Sequence, residues 1–135
     1  MSYDIISGQV QSPFISSSGE INVQALCKAL DIDRAMLPGA IGVKRQTVAA
    51  YFDQEDLFIK LRKAETREFF TKLNMVYVLV QSVMGKKAKK NNIIRWFHSP
   101  NKALKMKSPW DLVLEKQVDL LIKKLMDVAT TAQGK

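Results

Sequence analysis

The chain has 135 residues, 47% apolar and 25% charged, a composition that suits a soluble globular protein able to bury roughly two thirds of its unfolded surface. Its one cysteine, Cys27, excludes a disulfide framework and a cysteine-rich metal site. The formal charge of +8 is lopsided: residues 1–54 carry four basic and five acidic side chains, whereas residues 55–135 carry seventeen and eight. Such a field suits nucleic acid, an anionic membrane or an acidic protein as partner.

The opening MSYDIISGQV has neither the basic stretch nor the long apolar stretch of a signal peptide. The longest nearly apolar run, MVYVLV at 75–80, is far short of the roughly 20 residues a membrane-spanning helix needs. The expectation is a soluble, cytoplasmic protein with no membrane partner. Residues 1–19 end in the Ser-rich SPFISSSG and read as a mobile arm or loop. Residues 20–54 then form a first domain. Asn22 can cap a helix by accepting from a backbone N–H that has no intrahelical partner. Val23, Leu26 and Leu30 fall on one helical face, and Cys27 lies in that pattern as a core thiol. Asp33 offers a second cap leading into RAMLPGAIG, Gly42 ends that element by tolerating positive φ, and KRQTVAAYF at 44–52 makes a third short helix.

Residues 55–130 read as a second helical domain. Glu55–Lys72 has the spacing of a charged amphipathic helix, with Leu57, Phe58, Leu61, Phe69 and Phe70 apolar. Val76–Met84 is rich in β-branched residues and fits more than one element. Gly85 and the run KKAKK at 86–90 break it, and Asn92 can start a helix through IIRWF. HSPN at 98–101 reads as a turn into a short helical piece holding Ala103 and Leu104. SPWD at 108–111 is a helix start, with Ser108 as cap, Pro109 in the first helical position and Asp111 completing a capping box. Trp110, Val113, Leu114, Val118, Leu121, Leu125 and Val128 step by three or four, which one or two helices explain. Residues 131–135 are a polar tail. No alternating runs flank a hairpin turn, so the fold class is all-α.

Three short helices in about 30 residues with a glycine turn between the last two suggest a helix-turn-helix, and the GVKRQTV stretch resembles the Xre-type repressors. In that geometry the second helix enters the major groove with its N-terminal residues at base edges. Those residues are Lys44, Arg45, Gln46 and Thr47. Their chemistry fits operator DNA: Arg and Lys donate to guanine, Gln pairs bidentately with adenine, and Thr bonds a base or packs on a thymine methyl. Pro38 stands where such motifs have a small residue, and Lys44 stands where a Ser or Thr cap is common. The segment is not basic overall, so phosphate neutralisation would draw on Arg62, Lys63 or the KKAKK run.

The stretch from Trp96 to Val113 carries a second likeness. W-F-x-x-P-N-x-x-L-x-x-x-S-P-W-D-L-V resembles the C-terminal toxin-binding domain of the Xre/MbcA/ParS antitoxins, with Trp96, Phe97, Pro100, Asn101, Leu104, Pro109, Leu112 and Val113 in order and spacing. The likeness covers about residues 60–128. Such domains often have a glycine turn after the position of Leu114, where this chain has EKQVD. The resemblance implies an antitoxin of a type II toxin–antitoxin system. Its partner would be a RES-domain toxin that degrades NAD, neutralised by covering of its active site, and its helix-turn-helix would repress the shared operon. Toxin-contacting residues are expected among Asn101, Lys102, Lys105 and Lys107, with Gly134 and Lys135 of the tail near the toxin pocket. A homodimer is expected, since two half-sites are read by two copies.

Two other readings stay open: a stand-alone DNA-binding regulator whose C-terminal domain dimerises, and an adaptor without DNA binding. No enzyme, cofactor or metal is expected. His98 beside Ser99 lacks an orienting acid, and acidic residues are scattered singly.

Overall fold

The computed structural model describes residues 13–53 and 56–133. Among them it is all helical, with six α-helices, short 3-10 and π turns, and isolated backbone bridges in place of strands. The described residues divide into two compact units, one within residues 13–74 and the other within residues 75–133. Residues 56–74, grouped with the C-terminal part in the sequence reading, therefore belong to the N-terminal unit.

In that unit, Phe14 is buried and its carbonyl accepts from the Asn22 N–H at 2.8 Å, so the described part of the Ser-rich stretch, residues 13–19, is a loop anchored to the core. Helix α1, Val23–Ala29, starts where expected: Asn22 Oδ1 accepts from the Ala25 N–H at 3.0 Å. Val23, Leu26, Cys27 and Leu30 are all buried. The helix ends with Asp31 in the left-handed region (φ 53), while the Ile32 N–H returns to the Cys27 carbonyl at 2.8 Å.

RAMLPGAIG is not one regular helix. Asp33 caps a 3-10 turn, Arg34–Met36, by accepting from the Ala35 N–H, and a π turn follows over Pro38–Gly42. Pro38 has no N–H to continue the ladder, and the Val43 N–H reaches back five residues to the Pro38 carbonyl at 3.2 Å. Gly42 takes φ +88 and turns the chain. Helix α2, Arg45–Phe52, follows with Lys44 at its cap position and no side-chain cap.

The expected helix over Glu55–Lys72 is corrected at its first half. Ile59 pairs with Ile21, and α3 begins only at Ala64 and runs to Met84. Burial alternates along the pairing segment, with Ile59 and Leu61 inside and Lys60 and Arg62 outside, which is the period of extended chain. From Phe70 the period changes: Phe70, Leu73, Val76, Leu79 and Val80 form one fully buried helical face. That face resolves the β-branched stretch as helix. Gly85, at φ +56, ends it.

In the second unit, α4 spans Lys90–His98, α5 spans Pro109–Leu114 and α6 spans Val118–Gln133. Helix α4 starts two residues before Asn92, whose side-chain amide donates to the Lys87 carbonyl at 2.9 Å. The Ser108–Asp111 capping box forms in both directions, at 3.0 and 2.9 Å. The last two helices are separate. Lys116 sits at φ 64, the Gln117 N–H returns to the Leu112 carbonyl at 2.8 Å, and the Lys116 N–H returns to Val113 at 3.1 Å. This is the turn that glycine usually makes after a helix, here made by lysine. Among the described residues no helix is long and apolar enough to cross a membrane.

Candidate functional site

Two surfaces hold the residues singled out by sequence. The first is the start of α2. Gly42 turns the chain, Val43 and Lys44 are extended, and helix begins at Arg45. Lys44, Arg45, Gln46 and Thr47 are all exposed, while Val48 is buried and Tyr51 is half-buried. The polar quartet thus lies on the outside of a helix anchored by its next turn. Tyr51 packs edge-on against Phe70 at 6.2 Å. At the other end of the helix, Arg34 lies over the Phe52 ring at 5.5 Å and reaches Asp53 at 3.8 Å, and Gln24 donates to the Phe52 carbonyl at 3.3 Å. These contacts fix the direction of α2 against α1 and the Arg34–Met36 turn.

A groove of about 700 Å³ runs beside the quartet, lined by Asp33, Arg34, Pro38, Lys44, Arg45 and Gln46 among others. Lys44 and Arg45 sit at the positive end of the helix dipole, where a cation is unfavourable and an anion is favoured. Asp33, on the same groove, offsets part of their positive charge.

The second surface is the loop from Asn101 to Lys107. Asn101 Oδ1 caps the Lys102–Leu104 turn by accepting from the Ala103 N–H at 2.9 Å. Its N–H donates to the Lys107 carbonyl at 3.1 Å, and its carbonyl accepts from Leu104 and Met106, each at 2.9 Å. Leu104 is buried beneath. Lys105 and Met106 are consecutive left-handed residues, at φ 57 and 67. That conformation costs an L-residue about 1–2 kcal/mol each, and the closed hydrogen-bond ring holds it.

The loop sorts the expected contact residues. Asn101 is half-buried and committed to the ring, and Lys107 is ion-paired with Glu115 at 2.6 Å. Lys102 and Lys105 are exposed. Met106 is 61% exposed at the apex, a residue the sequence reading missed because its pattern gives no sign of a left-handed methionine. Gly134 and Lys135 lie outside the described residues.

Beneath the loop is an aromatic cluster. Phe97 is fully buried, 5.7 Å from Trp110 and 6.2 Å from Trp96, and its ring meets His98 edge-on at 5.2 Å. Phe97 and His98 at the end of α4 meet Trp110 at the start of α5, the latter at 6.3 Å, and so join the two helices on either side of the loop. The Ser99 hydroxyl donates to the Arg95 carbonyl, so it caps the end of α4. Among the described residues, no three His, Cys, Asp or Glu side chains come together to hold a metal. Compared with protein families, curated proteins and solved structures, the chain matches none.

Proposed function

We propose that the chain is a DNA-binding antitoxin of the cytoplasm, which represses its own operon through α2 and neutralises a cognate toxin through the unit that carries the Asn101–Lys107 loop. The observation that carries the reading is the exposure of Lys44, Arg45, Gln46 and Thr47 together at the uncapped start of α2, directly after the Gly42 turn. A helix presented this way places its first residues at base edges, and these four side chains supply donors for guanine and a bidentate partner for adenine. The anchored second half of the helix makes the presentation rigid.

Support for the toxin-binding half is of a different kind. The residues of the W-F-x-x-P-N-x-x-L-x-x-x-S-P-W-D-L-V likeness build one structure: an aromatic base, a capping box and a strained loop that lifts two free-standing lysines and a methionine outward. Strain of this sort concentrates where a surface is used. The proposed partner is a RES-domain toxin, and the cationic loop would approach a site made for a phosphate-rich cofactor. The proposed assembly on operator DNA is a homodimer.

The test has two arms. The protein is titrated against its own promoter at increasing salt, beside Arg45→Ala, and is co-expressed with the product of the adjacent gene while growth and cellular NAD are followed. The expected result is salt-dependent promoter binding weakened by Arg45→Ala, together with rescue of growth and NAD. Promoter binding without any neutralised neighbour would replace the antitoxin reading with a stand-alone regulator. A neutralised neighbour without promoter binding would leave a non-DNA-binding adaptor.

A further inference from the structure

We infer that Lys60 and Arg62 form a clamp for consecutive phosphates of the DNA strand flanking the groove that α2 enters. The inference rests on the DNA-binding reading of α2 and assigns the phosphate-contacting residues that the quartet at its start does not provide.

The geometry begins with alternation. Ile59 and Leu61 are buried, and Lys60 and Arg62 point out from the same edge. Two residues of extended chain span about 6.6 Å, a spacing close to that of neighbouring phosphates on one strand. The edge is also fixed. Ile59 exchanges two backbone hydrogen bonds with Ile21, at 2.9 and 3.0 Å, and Arg67 Nη1 donates to the Leu61 carbonyl at 3.0 Å and the Arg62 carbonyl at 3.5 Å. A cationic pair on a fixed edge loses little backbone freedom when a polyanion docks.

The edge faces the right element. Lys60, Arg62 and Lys63 line one open cleft of about 500 Å³ with Thr47, Ala50 and Tyr51 of α2. Thr47 belongs to the quartet expected at base edges, so a strand running past it meets the basic edge next. Among the described residues neither Lys60 nor Arg62 is ion-paired, while Lys63 leans toward Glu65 at 3.8 Å. Lys60 and Arg62 therefore have charge to give. Glu20 and Asp56 share the cleft and reduce its field, so removal of the Asp56 charge should strengthen binding.

The experiment is a salt titration of the full chain on a 25-base-pair duplex from its promoter, for the parent, Lys60→Gln/Arg62→Gln, Asp56→Asn, and Lys123→Gln as a charge control on exposed α6. Circular dichroism confirms that each variant is folded. Each lost phosphate contact should lower the slope of log affinity against log salt by about 1, so the double variant should lose about 2, and its affinity should fall equally on promoter and unrelated DNA. Asp56→Asn should bind more tightly, and Lys123→Gln should keep the parent slope. A parent that shows no salt-dependent binding overturns both the clamp and the DNA-binding reading. A parent that binds with a steep slope which the double variant retains overturns the clamp alone. A control that loses as much slope per charge as the double variant also overturns it, because the effect would then be net charge.

Discussion

Ile59 and Ile21 each give an N–H to the other's carbonyl, at 3.0 and 2.9 Å, across 38 residues of sequence. This exchange, with Ile21 in turn bridged to Ile15, ties the segment before α3 to the loop before α1. Both isoleucine side chains are buried. Ile59→Ala should therefore destabilise the protein by about 2–5 kcal/mol, the range for a buried isoleucine truncated to alanine. Urea unfolding followed by circular dichroism measures it; a loss under about 0.5 kcal/mol would mean the Ile59 side chain contributes little.

That pairing also marks where the sequence stops being legible. Asn22, Asp33, Gly42 and the Ser108–Asp111 box act within a few residues of themselves, and each was readable because its chemistry is local. Leu57, Phe58 and Leu61 sit at helical spacing, yet Leu57 is 59% exposed in a bend and Leu61 lies in the extended stretch after Ile59. The Ile21 partner that decides this lies too far along the chain for a periodicity to reveal. The candidate site divides the same way. Lys44–Thr47 followed from a turn and a helix start. Met106 did not, because only the closed ring around Asn101 forces a methionine into the left-handed region.

Thr66 Oγ1 is buried without a hydrogen-bond partner among the described residues, and the residue is 1% exposed. A buried hydroxyl left unpaired loses its water without recompense, at about 1–3 kcal/mol. Thr66→Val keeps the shape and removes the polar atom. It should raise stability by about 1 kcal/mol in thermal or urea unfolding. A loss of similar size would show that the hydroxyl is bonded in solution.

Burial pushes the Cys27 thiol up to about 12 from an ordinary value of 9.0. The folded state keeps this proton through a range in which the unfolded state has released it, so the unfolded chain binds fewer protons and stability falls as pH rises. Below pH 9 both states are protonated and the contribution is constant. Between 9 and 12 the parent should lose about 1.4 kcal/mol per pH unit more than Cys27→Ala does. Unfolding of the two proteins at pH 8 and pH 10.5 measures the difference, and parallel losses would mean the thiol is solvated. The same burial predicts negligible alkylation of the folded protein at pH 8, with reaction appearing only on unfolding.

Met106 stands at the apex of the strained loop, between Lys105 and the ion-paired Lys107. Its side chain contributes little to the fold, so Met106→Asp should change stability by no more than about 0.5 kcal/mol. An exposed apolar side chain on a rigid base is suited to anchor a partner, since it fills a pocket without first losing freedom. The carboxylate would bring both desolvation cost and the wrong charge beside Lys102 and Lys105. On the proposed function, the complex with the proposed toxin should weaken by tenfold or more, measured by calorimetry, while the proposed promoter binding stays at the parent level. If toxin and promoter binding fall together, the loop acts on the fold and the contact lies elsewhere. If toxin binding is unchanged, the strain of Lys105 and Met106 serves the turn into Ser108 and nothing beyond it.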